Sequence, residues 1–191
     1  MINFLRLKHW QLFFLLVGIP LILSFISIGA LITGMITVIF YVFPILVLVM
    51  GCFFGWLYTV GANLYKILPQ FVSMNFTRFK IFLIIPALYF VLTNIFMFIL
   101  VSKRLFAHGE IPNLGFIGFI IPLHLFAMFC IFYCLYFIAK ALKVVEWQKP
   151  VTFSDFAGDF LLIWFYPIGI WIIQPRINKI FGSNNVERMS Y

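Results

Sequence analysis

The chain has 191 residues, of which 65% are hydrophobic, 21% are aromatic and only 9% are charged. Soluble domains carry about 25% charged residues, so too little polar surface would remain here to cover a water-soluble core. Composition therefore excludes a soluble globular protein and predicts an integral membrane protein, with the lipid bilayer as its surroundings. The net charge of +8 is then explained by membrane topology and by attraction to anionic lipid, and no nucleic-acid partner is predicted.

Two apolar runs follow the short basic N-terminus. The first, residues 12–32, is long enough to cross a hydrocarbon core of about 30 Å and longer than the apolar region of a signal peptide. We therefore expect an uncleaved span. Thr33 and Gly34 predict a tight turn, and a second span follows over residues 36–58.

Gly51 and Gly55 lie in the second span at the small-xxx-small spacing that lets helix backbones approach closely. This spacing favours packing against a neighbouring helix of the same chain. Pairing with a helix of another chain is the alternative interpretation.

The third and fourth spans are predicted over residues 81–102 and 116–139, and each contains a polar residue of interest. His124 is the only histidine inside a span, and ionisable residues at membrane depth are functional candidates by default. The structural interpretation is a neutral imidazole that is hydrogen-bonded to a carbonyl freed by Pro122, or to Asn94 on the neighbouring helix. The functional interpretation is a pathway lined by Asn94 and His124.

The last apolar run, residues 160–173, is too short to cross a membrane comfortably at about 1.5 Å per residue. Pro167 and Gly169 predict a bend or break within it, and Gln174-Pro175 predicts its end. We expect a re-entrant or interfacial segment, with a tilted fifth span as the alternative.

An amphipathic helix is predicted ahead of this run. Thr152 and Asp155 have the spacing of a helix N-cap, and Asp155 and Asp159 are placed four residues apart on one helix face. Two carboxylates on one face could hold a divalent ion or dock a basic partner. They could equally stabilise the helix start and pair with Arg176, which is the interpretation we favour.

Orientation follows from the basic residues. With four spans, one side of the membrane holds eleven Lys and Arg residues and the other holds only Lys103 and Arg104. The larger set is Arg6, Lys8, Lys66, Arg78, Lys80, Lys140, Lys143, Lys149, Arg176, Lys179 and Arg188. The positive-inside rule predicts a multi-pass protein of the plasma (inner) membrane with both termini in the cytoplasm. A crossing fifth segment would weaken this bias.

The predicted fold is all-α: a four-helix transmembrane bundle over residues 1–142, then a cytoplasmic-side amphipathic helix, a re-entrant or interfacial segment and a basic tail over residues 143–191. The sequence has no HExxH, GxSxG or glycine-rich phosphate motif, so no catalytic residue, metal site or cofactor is predicted.

Function is predicted as that of a non-enzymatic membrane subunit, which acts as a homo-oligomer or with a partner protein, for example as a sensor or effector. Asp155, Asp159 and Arg176 are its expected docking residues. The main alternative is a small oligomeric channel or transporter with Asn94 and His124 lining its pathway. A lipid-modifying enzyme, with a metal held by the two aspartates, is a third possibility.

Overall fold

The computed structural model describes residues 4–35, 37–106 and 117–182, and this part of the chain is helical and contains no strand. The helices are α1 (His9–Phe13), a π-helical turn (Phe14–Gly18), α2 (Ile19–Thr33), α3 (Thr37–Lys66), α4 (Phe76–Phe106), α5 (Ile117–Trp147), α6 (Phe153–Trp164) and α7 (Tyr166–Phe181). The all-α prediction is therefore confirmed.

Four stretches of the described chain are long and apolar enough to cross a membrane. They are His9–Ala30, Tyr41–Lys66, Phe76–Lys103 and Ile120–Trp147. The turn predicted after the first of them is present, and Gly34 adopts a φ of +73° there, a conformation that favours glycine.

The helices extend beyond the predicted spans at the charged ends. Helix α3 continues past the predicted end of the second span to Lys66, and α5 continues past the predicted end of the fourth span to Trp147. Long basic side chains can lie along such helix ends while their charges reach water. The boundary predicted at residues 142 and 143 therefore falls inside α5 and does not coincide with the end of an element.

The C-terminal region forms a bent pair of helices, α6 and α7, whose axes differ by 119°. The break lies at Phe165, and Pro167 follows in the first turn of α7. Gly169 packs against the backbone of the preceding helix so closely that a Cβ atom there would lie 1.7 Å from the carbonyl oxygen of Leu162. The predicted break near Pro167 and Gly169 is therefore confirmed.

The predicted end of this segment at Gln174-Pro175 is wrong, because α7 continues through both residues to Phe181. Pro175 removes one backbone hydrogen bond, which a helix survives when neighbouring groups hold it in place. Ile173, Ile177 and Ile180 on the same helix are buried in the core and hold it in this way.

The hydrophobic core occupies one half of the bundle, which we call the closed half. Its members come from every helical segment of that half: Leu12, Trp56, Leu64, Phe79, Leu135, Leu142, Phe156, Ile163 and Ile170. In contrast, residues 87–103 of α4 and 118–126 of α5 contain no buried residue among those whose side chains are described. These two stretches are called the open half below.

Candidate functional site

The bent pair α6–α7 starts and finishes at the same end of the bundle. Arg176 of α7 contacts Glu146, next to the last residue of α5, and Gln174 of α7 contacts the segment that precedes α1. We call this end the basic end. It also holds the N-terminal segment, the α3–α4 loop and the C-terminal end of α5, and these segments carry most of the Lys and Arg residues.

The turn between α6 and α7 lies much deeper in the bundle. The ring of Tyr166 packs 5.2 Å from that of Phe53, which precedes the end of α3 by about 20 Å of helix. Trp164 packs 5.1 Å from Phe132, which precedes the end of α5 by about 22 Å. The pair therefore descends from the basic end and returns to it, a geometry that favours the re-entrant interpretation over a tilted fifth span.

Four charged side chains join this hairpin to α5, and we call them the ion cluster: Lys143, Glu146, Asp159 and Arg176. Lys143 Nζ lies 3.0 Å from Asp159 Oδ2, and Arg176 Nη2 donates to the same oxygen at 3.0 Å. Arg176 Nε donates to Glu146 Oε1 at 2.7 Å, and its Nη2 also contacts Glu146. The cluster has no net charge, and only 6% of the Asp159 side chain is exposed.

The two predicted docking aspartates have separate roles. Asp155 Oδ2 accepts hydrogen bonds from the Thr152 backbone N–H at 2.7 Å and from its hydroxyl at 2.8 Å, and these bonds lower the pKa of Asp155 below its ordinary value. The predicted capping arrangement is therefore present. Asp159 faces the interior and pairs with Arg176, as the structural interpretation expected.

No group of three or more His, Cys, Asp or Glu side chains that could hold a metal occurs within the described residues. Since Asp155 bonds to the helix start and Asp159 to two cations, the structure does not bring these carboxylates together as a pair of free ligands.

A second polar cluster surrounds Gln174, which is fully buried. Its Oε1 accepts a hydrogen bond from Trp56 Nε1 at 3.0 Å, and its Nε2 lies 2.8 Å from the carbonyl oxygen of Phe4 and 3.1 Å from that of Leu7. This role was missed from the sequence. The available signal was an amide between Ile173 and Pro175 in an apolar run, because a buried polar group requires partners.

The two predicted helix-pairing glycines differ in their surroundings. A Cβ atom at Gly55 would lie 3.3 Å from the ring of Phe4, whereas no atom lies within 4 Å of that position at Gly51. A closer contact, missed from the sequence, occurs at Gly61, where a Cβ atom would lie 2.4 Å from the ring of Phe79.

His124 and Asn94 are not brought together. The hydroxyl of Tyr89 lies 3.1 Å from Nδ1 of His124, and Asn94 Nδ2 donates to the carbonyl of Phe90 at 2.9 Å. The predicted bond from His124 to Asn94 is therefore wrong. Five residues of helix turn Asn94 about 140° away from Tyr89, so the two side chains point to different sides of α4.

Asn94 instead lines a cavity of about 250 Å³ between the first helical span, α3, α4 and the start of α7. The lining residues are Leu16, Pro20, Leu46, Val49, Met50, Phe53, Phe90, Asn94 and Tyr166. His124 is not among them and is exposed on the open half.

The chain matches no protein-family model, and comparison with curated proteins and with solved structures also gives no match.

Proposed function

We propose that the protein is a non-enzymatic subunit of a membrane complex, in which copies of the chain associate through the open half. One observation carries this proposal: the polar pair His124–Tyr89 lies on an exposed, otherwise apolar surface at membrane depth.

Much of the surface of the open half is not covered by other described residues. Residues 121–126 of α5 are all exposed, and six consecutive residues cover more than one full turn of 3.6 residues. On α4, Leu88, Leu92 and Ile95 are more than half exposed. Lipid can cover such surfaces, so exposure alone does not require a protein partner.

The His124–Tyr89 pair does favour a protein partner. His124 lies about 10 Å along the helix from the start of α5, which is within a hydrocarbon core of about 30 Å. Lipid tails offer no hydrogen bond to the second ring nitrogen of the imidazole, and polar groups at such depth normally face other helices or water.

The chemistry of the pair is suited to a second copy of the chain. A neutral imidazole and a hydroxyl can each donate and accept a hydrogen bond, so two such pairs can satisfy one another across a twofold axis. Residues 118–139 and 87–102 carry no charge that would select an oppositely charged partner.

We further propose four spans, with the α6–α7 hairpin re-entering from the basic end and this end facing the cytoplasm of a plasma-type membrane. Ten Lys and Arg residues of the described chain belong to segments at this end, namely Arg6, Lys8, Lys66, Arg78, Lys80, Lys140, Lys143, Lys149, Arg176 and Lys179. Only Lys103 and Arg104, at the far end of α4, lie opposite, and the positive-inside rule then sets the orientation.

A non-enzymatic role is supported by how the carboxylates are used. Within the described residues, Glu146 and Asp159 are held in the ion cluster and Asp155 is bonded to Thr152, so each is occupied by a structural partner. The docking role expected for Asp159 and Arg176 is disfavoured for the same reason, because a partner would have to compete with the ion cluster.

The channel interpretation receives less support. Asn94 lines the partly open cavity beside α3 and His124 lies on the exposed surface of α5, so one pathway within a single chain cannot use both. A pore would have to run between copies and would depend on His124 alone.

The test is the oligomeric state of the full chain in lipid nanodiscs, measured by native mass spectrometry. We expect dimers or larger assemblies of the wild-type chain, and His124→Phe should weaken association by about 5- to 30-fold, the value of one interhelical hydrogen bond in membranes. His9→Phe is the matched control, because His9 packs against Trp171 at the basic end.

A wild-type chain that stays monomeric at high protein-to-lipid ratio would refute the proposal. So would equal effects of His124→Phe and His9→Phe. Recovery of a stoichiometric complex with a different membrane protein, in place of the self-assembly, would show that the occupant of the open half is not a second copy.

A further inference from the structure

The cavity beside α3 is larger than an ordinary packing defect. Its volume of about 250 Å³ exceeds the apolar cavity of about 150 Å³ that is known to bind benzene in another protein. The space is partly open to the surface of the bundle, and concave, mostly apolar spaces are candidate binding sites.

Two polar groups that line the cavity have unused hydrogen-bonding capacity. Asn94 uses its Nδ2 in a bond to the carbonyl of Phe90, while its Oδ1 accepts no hydrogen bond from the described residues. The hydroxyl of Tyr166 likewise makes no hydrogen bond within the described part of the chain, and the residue is anchored there by its ring contact with Phe53. Two residues that line the cavity therefore have polar atoms, Asn94 Oδ1 and the Tyr166 hydroxyl, that the described part of the chain leaves unused.

The backbone on the opposite wall is irregular. Leu16 lies in the π-helical turn Phe14–Gly18, and Pro20 follows it without an N–H group. A π turn followed by proline leaves a backbone carbonyl without its usual helical donor, and such turns are frequent at functional sites.

We propose that this cavity binds a neutral lipophilic molecule whose aromatic or quinoid ring carries a hydroxyl or carbonyl group. No charged side chain of the described residues lines the space, so an ionic ligand would find no counter-charge among them. The rings of Phe53, Phe90 and Tyr166 offer faces or edges for a planar ring, and Asn94 Oδ1 accepts from a hydroxyl.

This proposal goes beyond subunit association, because the cavity lies within one chain. It takes only Phe90 and Asn94 from the open half, and Asn94 lies on a different side of α4 from Tyr89, which contacts His124. Binding and oligomerisation can therefore be tested separately, and the failure of one leaves the other standing.

The test uses 4-azidophenol as a photoreactive probe on the full chain in liposomes, with labelled sites located by mass spectrometry of peptides. We expect adducts on the peptides that contain Met50 or Tyr166. Competition by 4-ethylphenol should prevent them, whereas ethylbenzene, which lacks only the hydroxyl, should compete at least 5-fold less effectively because it cannot use the free acceptor.

Asn94→Leu should weaken competition by 4-ethylphenol about 5- to 10-fold, the effect of one lost hydrogen bond. Asn63→Leu is the matched control, because Asn63 Nδ2 makes the same kind of bond to the carbonyl of Thr59 at 2.7 Å but the residue does not line the cavity. Leu46→Phe, which places a larger side chain in the space, should abolish labelling while helix content measured by circular dichroism stays unchanged.

Adducts distributed along lipid-facing residues outside the cavity would overturn the proposal. Equal competition by ethylbenzene and 4-ethylphenol would show that the polar groups select nothing. An Asn63→Leu effect as large as that of Asn94→Leu would show that the loss is structural.

Discussion

The two halves of the α4–α5 pair have similar apolar sequences but opposite packing. In α5, residues 121–126 are all exposed, whereas Leu135, Ile138 and Leu142 are fully or almost fully buried. Apolar composition thus makes both halves suitable for crossing a membrane, but it does not determine which half acquires a protein core. The difference comes from the hairpin.

The hairpin covers only the half that it can reach. Its helices have 12 and 16 residues and therefore extend about 18 and 24 Å, less than a hydrocarbon core of about 30 Å. Phe156, Ile163 and Ile170 complete the core next to the basic end. Beyond the tip of the hairpin, the described parts of α4 and α5 pack mainly against each other and part of α3, and that region forms the open half.

Breaking the ion cluster should produce a large loss of stability. Arg176→Met leaves Glu146 without its guanidinium partner and buried Asp159 with Lys143 alone. Removing one member of a buried ion pair costs about 3–5 kcal/mol, so we expect a loss near the lower value, since the Arg176 side chain is 25% exposed. The free energy of unfolding can be measured by SDS titration in mixed micelles with circular dichroism.

Arg78→Met is the control for this variant. Arg78 lies near the basic end, and no ion pair of its side chain occurs within the described residues, so its replacement should change the unfolding free energy by less than about 0.5 kcal/mol. Equal losses for the two variants would mean that the ion cluster does not hold the hairpin and that the loss of basic charge is responsible.

The same substitution, leucine to alanine, should lower the free energy of unfolding by different amounts in the two halves. Leu64 of α3 has 0% exposure, and Leu64→Ala should cost about 2–5 kcal/mol through lost burial and the resulting cavity. Leu92 of α4 is 63% exposed, and Leu92→Ala should cost less than about 0.5 kcal/mol in the monomer. Unfolding of both variants under monomeric conditions checks this difference. A large loss at Leu92 would show that the open half is already packed within one chain.

The sequence predicted the features that depend on local signals. Apolar runs identified the four spans, the Thr33-Gly34 pair marked a turn, the spacing of Thr152 and Asp155 marked a helix start, and Pro167 marked a break. Each of these signals involves residues within one or two helical turns, so no knowledge of the tertiary structure is needed to read them.

Of the features that depend on distant contacts, the pairing of Asp159 with Arg176 was predicted, but the others were missed. Trp56 and Gln174 are separated by 118 residues, and Glu146 and Arg176 by 30, so no spacing rule connects them. The predicted end at Gln174-Pro175 was wrong because these contacts hold α7 together beyond its proline. Asn94 and His124 were paired from their similar depth alone, and depth does not determine the side of the helix on which a residue lies.

A substitution in the turn of the hairpin should have a smaller effect on stability, because the turn can relax partly. In Gly169→Ala the added Cβ would lie 1.7 Å from the carbonyl oxygen of Leu162, so the backbone of α6 or α7 would have to move. Overpacking typically costs about 1–3 kcal/mol, and we expect a loss in this range together with increased protease sensitivity at the turn. Unchanged stability would mean that the hairpin is not closely packed at Gly169.

Gly51→Ala should have the smallest effect and tests the boundary of the open half. No atom lies within 4 Å of the added methyl group, so we expect either no change in the unfolding free energy or a gain of at most about 1 kcal/mol from improved helix propensity. Association in nanodiscs should also be unchanged, because neighbouring Gly55 is covered by the ring of Phe4 and a backbone from another copy could not approach the glycine pair closely. Weaker association of Gly51→Ala would move the contact between copies from α4–α5 to α3, and the exposed His124–Tyr89 pair would then need another partner.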